Sequence, residues 1–311
     1  MNDLAIEVRD FRKTYNGFVA ADDISFTVDK GEIFGLLGPN GAGKTTTLES
    51  LEGLRIPDSG FLRVQGIDPS RESSRLRDVI GVQLQTSGLP DNITVNEAMK
   101  FFSAYHKVAP RYDLLDRLGL TEKRDAQYHQ LSTGQQRRLV LALAVAHRPQ
   151  ILFLDEPTAG LDVASRVELH NLMREVQTEG ATIILATHDM AEAEEMSDRV
   201  AILLGGKTVM IGSPMDITST GAGLTKISVR TKDSALSAPG LSFPAVGRQV
   251  VNDEYFIYYS TDIGPTVSAI IEHIESREDT LIDLRVERPS LEDRFLEITS
   301  TPQTAPAGGA R

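Results

Sequence analysis

The chain is expected to fold as α/β, with a mostly parallel sheet and flanking helices, an antiparallel β subdomain, a helical insert and a small second α/β domain. Three observations carry that expectation. Residues 33–37, 151–154 and 182–186 are continuous apolar runs of strand length, the pattern of strands buried on both faces of a parallel sheet. The first of these runs leads directly into the glycine-rich stretch Gly38-Pro39-Asn40-Gly41-Ala42-Gly43-Lys44-Thr45. Residues 1 to about 67 instead place Ile6, Val8, Ile24, Phe26 and Val28 on period two, as half-buried antiparallel strands do.

The remaining elements follow in chain order. Residues 86–148 read as a helical insert, punctuated by Pro90, Pro110 and Gly119. A helical pattern over 164–177 separates the apolar runs 151–154 and 182–186, and together they indicate a parallel sheet wrapped by helices. Residues 212–223 turn to Gly, Ser, Thr and Pro, which marks a linker and places the domain division after residue 219. Beyond it, strands are expected at 225–230, 255–259 and 281–286, with one helix presenting Val267, Ile270, Ile271 and Ile274 on a single face. These form an accessory domain over 220–300. Ser290 followed by Asp293 reads as a capping box that opens a last helix through Ile298. Residues 301–311 are rich in Pro, Ala and Gly and are expected to be disordered. No internal repeat is present.

Composition narrows the functional classes. With 311 residues, 41% hydrophobic and 24% charged, the chain can bury a sizeable core. The longest apolar run, 139–146, is too short to span a bilayer and is flanked by Arg137, Arg138 and Arg148. The first residues carry neither a basic end nor an apolar segment, so no secretory signal is read and a cytoplasmic location is expected. The chain has 0 cysteines, which excludes disulfides and thiolate chemistry. A net charge of -12 repels phosphate backbones, so nucleic acid is not the expected partner.

The chemistry begins at the glycine-rich stretch, a phosphate-binding loop. Its glycines let successive N–H groups converge on a β-phosphate, Lys44 reaches the β- and γ-phosphates, and the Thr45 hydroxyl suits Mg²⁺. The helix that follows from Thr46 adds its positive end. This defines a P-loop NTPase core and a nucleoside triphosphate as ligand. Asp155 and Glu156 end the apolar run 151–154, at the carboxyl edge of the sheet where ligands bind in open α/β folds. There Asp155 can hold the metal through water, and Glu156 can orient and deprotonate an attacking water.

Order and spacing then resemble the ATP-binding subunit of an ABC transporter, over roughly residues 4–215. The resemblance implies roles for further residues. Tyr15, in Lys13-Thr14-Tyr15-Asn16-Gly17, matches the aromatic that stacks on adenine. Gln85 matches the glutamine that touches metal and water, with Gln83 the competing candidate in Gly81-Val82-Gln83-Leu84-Gln85. Ser132, Gly134 and Gln135 belong to the signature loop Leu131-Ser132-Thr133-Gly134-Gln135, Asp162 to the D-loop, and His188 is the switch histidine. In this reading the signature loop meets the γ-phosphate held by another subunit, so the expected partners are a second ATP-binding subunit, in a homodimer, and a membrane-spanning permease. The permease is expected to dock a short cytoplasmic helix near residues 85–98, with this chain peripheral on the cytoplasmic face of the membrane. The segment Arg288-Pro289-Ser290-Leu291-Glu292-Asp293-Arg294-Phe295-Leu296 is similar to the ending of exporter subunits for drugs, antibiotics and lipids. A non-transport ATPase of the same class, acting on DNA ends or ribosomes, is the alternative. It would be expected to show a long coiled-coil insertion, a basic face or a second phosphate loop. Thr133 stands where glycine is usual. It is harmless if the backbone there is helical and disruptive if positive φ is required.

Overall fold

The computed structural model describes residues 4–85, 88–219, 224–233, 235–238, 240–252, 254–287 and 289–300. The chain divides into two compact units at Pro214 and Met215.

In the first unit, β1 (Leu4–Tyr15), β2 (Phe18–Asp29) and β4 (Ser59–Val64) make an antiparallel sheet in the order β2-β1-β4. Their period-two side chains, Ile6, Val8, Ile24 and Phe26, are buried. The second sheet has six strands: β3 (Ile33–Leu37), β5 (Ile80–Gln83), β6 (Ile151–Asp155), β7 (Thr182–Thr187), β8 (Arg199–Leu204) and β9 (Lys207–Gly212). Their order is β5-β6-β7-β3-β8-β9, parallel except for the β8–β9 pair. The helices are α1 (Lys44–Leu51), α2 (Ser73–Val79), α3 (Val95–Tyr105), α4 (Tyr112–Arg117), α5 (Thr133–Val145), α6 (Val163–Thr178) and α7 (Met190–Met196).

The continuous apolar strands are explained by what lies on each face of the sheet. On one face Phe153, Ile184 and Leu36 join Phe11 and Phe26 of the antiparallel sheet and Leu48 of α1. Phe26 and Phe34 stack with centroids 5.2 Å apart. On the other face Leu152, Leu154, Ile183 and Leu185 join Met99 of α3, Leu139 of α5 and Leu169 and Met173 of α6. A strand sandwiched in this way has no polar face to show.

In the second unit α8 (Pro214–Ser219) precedes β10 (Thr225–Thr231), β11 (Val246–Asn252), β12 (Tyr255–Ser260), α9 (Ile263–Ser276), β13 (Leu281–Glu287) and α10 (Leu291–Ser300). The sheet is antiparallel, in the order β11-β12-β10-β13. Ile270 and Ile274 of α9 pack with Ile227, Val229 and Tyr258, and Val267 is partly buried against them. The capping box forms: Ser290 N–H donates to Asp293 Oδ2 at 3.0 Å, and Asp293 N–H to Ser290 Oγ at 3.1 Å.

Two expectations are corrected. Residues 214–219, read as linker, are helical: Pro214 at the first position supplies a φ suited to a helix start, and Ile217 is buried. Residues 220–223 and 301–311, read as linker and disordered tail, lie outside the described residues. The accessory domain also holds a strand that the expected set lacked. In β11, Val246, Gly247, Arg248, Gln249 and Asn252 leave little apolar alternation, because the strand sits on the sheet edge and is largely exposed.

Candidate active site

The sheet order places four functional segments side by side. β5, β6, β7 and β3 are consecutive neighbours, all parallel, so their carboxyl ends open on one edge. Gln85 lies just beyond β5, Asp155 and Glu156 at the end of β6, His188 just beyond β7, and the phosphate-binding loop beyond β3.

The loop conformation needs glycine where the loop becomes a helix. Gly43 has φ 101°, and a Cβ there would lie 2.5 Å from the Ala20 carbonyl oxygen, so backbone geometry and space both require hydrogen. Gly43 is the N-cap of α1 and supplies no side-chain acceptor, which leaves the first N–H groups of the helix directed at an incoming anion. Lys44 Nζ donates to the carbonyls of Gly38 at 2.6 Å and Pro39 at 3.3 Å, and lies 3.6 Å from Glu156 Oε1. The ammonium is thus held at the loop mouth, beside the Glu156 carboxylate.

Glu156 combines three unusual properties. It is 5% exposed, its φ is 51°, and its Oε2 accepts from His188 Nδ1 at 2.7 Å. A left-handed backbone is costly for a non-glycine residue and persists only where surroundings enforce it. Here its own N–H donates to Ala186 O at 2.9 Å, and Arg137 Nη1 of α5 donates to its carbonyl at 2.6 Å. The general-base candidate is therefore fixed from both the sheet and the helical insert. Its neighbour Asp155 accepts from the Thr45 hydroxyl at 2.8 Å through Oδ2, while Oδ1 is buried without a hydrogen-bond partner among the described residues. Burial holds the Asp155 carboxyl above its usual range, and the Thr45 hydrogen bond opposes that shift.

A cavity of about 300 Å³ brings together Asn40, Gly41, Ala42, Gly43, Lys44, Thr45, Thr46, Gln85 and Glu156. Gln83 instead points inward, 1% exposed with Oε1 unpartnered among the described residues, so the polar group available to the cavity is Gln85. Tyr15 does not line this cavity. It sits half-buried in a cross-strand pair with Phe18, its ring within 5.4 Å of Lys13 Nζ and 5.8 Å of the Arg55 guanidinium. Phe18, 64% exposed, and Ala20 form the cavity wall on that side. Sequence reasoning missed Phe18, although an aromatic directly after the Asn16-Gly17 turn was a usable signal.

The signature loop also lies outside the cavity. Ser132 is the N-cap of α5: Gln135 N–H donates to its Oγ at 3.3 Å, and its own N–H donates to Gln135 Oε1 at 2.9 Å. Thr133 is the first helical residue, so the conformation there is one that a β-branched residue accepts. Asp162 caps α6 by accepting from Ser165 N–H at 2.9 Å, a bond that holds its carboxyl below the usual range. Ser132, Gly134, Gln135 and Asp162 thus lie outside the cavity, at the capped starts of α5 and α6.

A phosphate-binding loop after β3, a histidine after the neighbouring β7 and paired carboxylates at the end of β6, one strand further on, define a P-loop ATPase. A family model described as "ABC transporter" matches residues 21–159. Relatives named Nod factor export ATP-binding protein I are similar along nearly the whole chain. The one from Paraburkholderia xenovorans is 35% identical over 307 residues, covering 96% of this chain and 98% of its own. That of Rhizobium etli is 35% identical, covering 95% and 93%. Among solved structures, one described as the ATP binding subunit of an ABC transporter covers 69% of this chain and 92% of its own, at 28% identity and a TM-score of 0.65. CbiO1 from Clostridium perfringens, described as part of the ABC transporter complex cbiONQ, covers 70% and 92%, at 30% identity and a TM-score of 0.60. The chain belongs to the ATP-binding subunits of ABC transporters, and it is an ATPase.

Proposed function

We propose that the chain hydrolyses ATP in a head-to-tail pair of identical subunits and drives export through a separate membrane-spanning permease. One observation carries the pairing: the cavity holds the phosphate loop, Gln85 and Glu156, while the signature helix start at Ser132 and Gly134 faces elsewhere. A two-fold pair would bring each helix start to the partner's γ-phosphate and make the two sites equivalent.

Thr45, Asp155 and Gln85 would hold Mg²⁺, whose fit is supported by the unpartnered Asp155 oxygen beside the Thr45 hydroxyl. When bound, the ion neutralises phosphate charge. The loop N–H groups and Lys44 bind the β- and γ-phosphates. Glu156 accepts a proton from water as its oxygen attacks the γ-phosphorus and the bond to the bridging β-γ oxygen breaks. His188 holds Glu156 in place and contacts the γ-phosphate. Tyr15, with Phe18 beside it, offers a stacking surface to the base.

Export is supported by the relatives' names and by the exporter-like segment around Ser290. A drug, antibiotic or lipid-like compound is the substrate class we assign. No helix among the described residues is long and apolar enough to cross a membrane, which agrees with peripheral attachment to a permease. The decisive experiment is Glu156→Gln. Loss of a general base costs roughly 10²- to 10⁴-fold in rate, so hydrolysis should nearly stop while ATP binding persists. With saturating Mg-ATP the variant should run as a dimer by light scattering. Normal hydrolysis, or a persistent monomer, would refute this reading.

A further inference from the structure

The sheet of the second unit ends on β13, which pairs with β10 and, among the described residues, with no strand on its outer side. Such an edge presents backbone N–H and C=O groups to any chain that can lie beside it. Leu284 stands opposite Val229 and Val286 opposite Ile227, so both lie on the face that packs against α9. That face is unfinished at the edge. Val286 is 42% exposed, and Ile282, at a register shift with no residue opposite it in β10, is 50% exposed. Asp283 and Arg285 point to the other face, where Arg285 Nε donates to Asp283 Oδ2 at 2.8 Å and the Tyr255 hydroxyl donates to the same oxygen at 2.7 Å. The Tyr255 bond, with Arg285 beside it, holds the Asp283 carboxyl below its usual range, so it is ionised at neutral pH.

Two copies of one strand that pair antiparallel are related by a two-fold axis perpendicular to the sheet, and that axis sets one residue opposite its own copy. Through Asp283 it would oppose two carboxylates. Through Arg285 it would oppose two guanidinium groups and set Asp283 against Glu287. Through Leu284, the middle residue of Leu281–Glu287, the overlap is the whole strand. Leu284 then meets Leu284 and Ile282 meets Val286, while each Asp283 meets an Arg285 that has N–H groups left for a second carboxylate. Glu287 meets Leu281 and keeps its ion pair with Lys226 at 2.7 Å. Charges on a sheet edge commonly repel a second strand, whereas here they select one register. The opposite edge, β11, has no such symmetry: an axis through its middle residue, Gln249, would set Arg248 against Val250 and Gly247 against Val251.

We propose that β13 is a docking edge for the β13 of a second copy of this chain, joining the two accessory sheets edge to edge about an axis through Leu284. One strand buries far less than the roughly 1,200 Å² of a stable interface, so this pairing is weak and concentration-dependent. It needs no nucleotide. It uses neither the phosphate loop nor the signature helix, so it stands or falls apart from the ATP-driven pair.

The test is sedimentation velocity of the nucleotide-free full chain from micromolar to near-millimolar concentration, where wild type should self-associate. Asp283→Arg and Arg285→Asp each set like charges against one another in a homodimer, so each alone should associate roughly tenfold or more weakly. In an equimolar mixture every introduced charge faces its opposite, and association should return to the wild-type level. The chain has 0 cysteines, so introduced ones report the register cleanly. Leu284→Cys should cross-link to itself through a short bismaleimide, and Ile282→Cys to Val286→Cys but not to itself. Unchanged circular dichroism and cooperative thermal unfolding show that each variant is folded. A wild type that stays monomeric throughout, charge variants that associate alone as wild type does, a mixture that stays monomeric, or Ile282→Cys cross-linking to itself would each overturn the proposal.

Discussion

Glu52 is the residue whose burial has the plainest thermodynamic consequence. Its carboxyl stays protonated in the fold to about 8 but titrates near 4.5 in the unfolded chain, so between those values the folded state holds the extra proton. Stability is therefore fully present below pH 4.5 and is lost as pH rises toward 8, an effect on the order of a few kcal/mol. Glu52→Gln should flatten the fall in Tm of the nucleotide-free protein between pH 5 and pH 8.5. Unchanged pH dependence would show that the carboxyl is solvated. Nothing in the sequence marked this residue, since a glutamate at a helix end reads as surface and only the tertiary fold buries it. Lys44, Thr45, Asp155 and Glu156 were legible because phosphate chemistry admits few residue types at few spacings. Phe18, on the cavity wall, carried only the weaker signal of an aromatic after a turn, since a stacking role would tolerate any aromatic at several positions there.

At the scale of elements, the start of α5 argues for a contact outside the chain. Gly134 has no positive φ, and a Cβ there would meet Leu161 Cδ2 at 3.5 Å and Ser165 Oγ at 3.6 Å, ordinary contacts. Among the described residues nothing requires glycine there. In a helix, Gly→Ala normally stabilises by roughly 0.5–1 kcal/mol, so Gly134→Ala should keep or slightly raise the Tm of the monomer. If the space serves a partner's γ-phosphate, the same change should weaken ATP-dependent dimerisation of the Glu156→Gln protein by sedimentation. A destabilised monomer would make Gly134 a packing residue, and an undisturbed dimer would remove the signature loop from the interface. Strands β3, β6 and β7 were legible because burial on both faces forces continuous apolar runs. Strand β11 was not, because a sheet-edge strand buries few residues and carries no such constraint.

For the whole molecule, the separation of the two half-sites sets a test that no single variant provides. In the proposed pair the cavity with Lys44 and Glu156 would supply one half, and the helix start at Ser132 and Gly134 the other. If each complete site takes one half from each subunit, two different defects can be rescued by mixing. In the Glu156→Gln background, Lys44→Ala removes the phosphate contact, and Gly134→Asp places a carboxylate where the partner's phosphate would approach. Neither protein alone should form an ATP-trapped dimer, because every site in either homodimer lacks one half. A mixture contains pairs in which one site joins an intact phosphate loop to an intact signature loop, while the opposite site carries both defects. That mixture should yield a trapped dimer with one ATP per pair, counted by radiolabelled nucleotide co-eluting with the dimer peak. If both halves came from the same chain, mixing would rescue nothing, since each defect would stay with its own site.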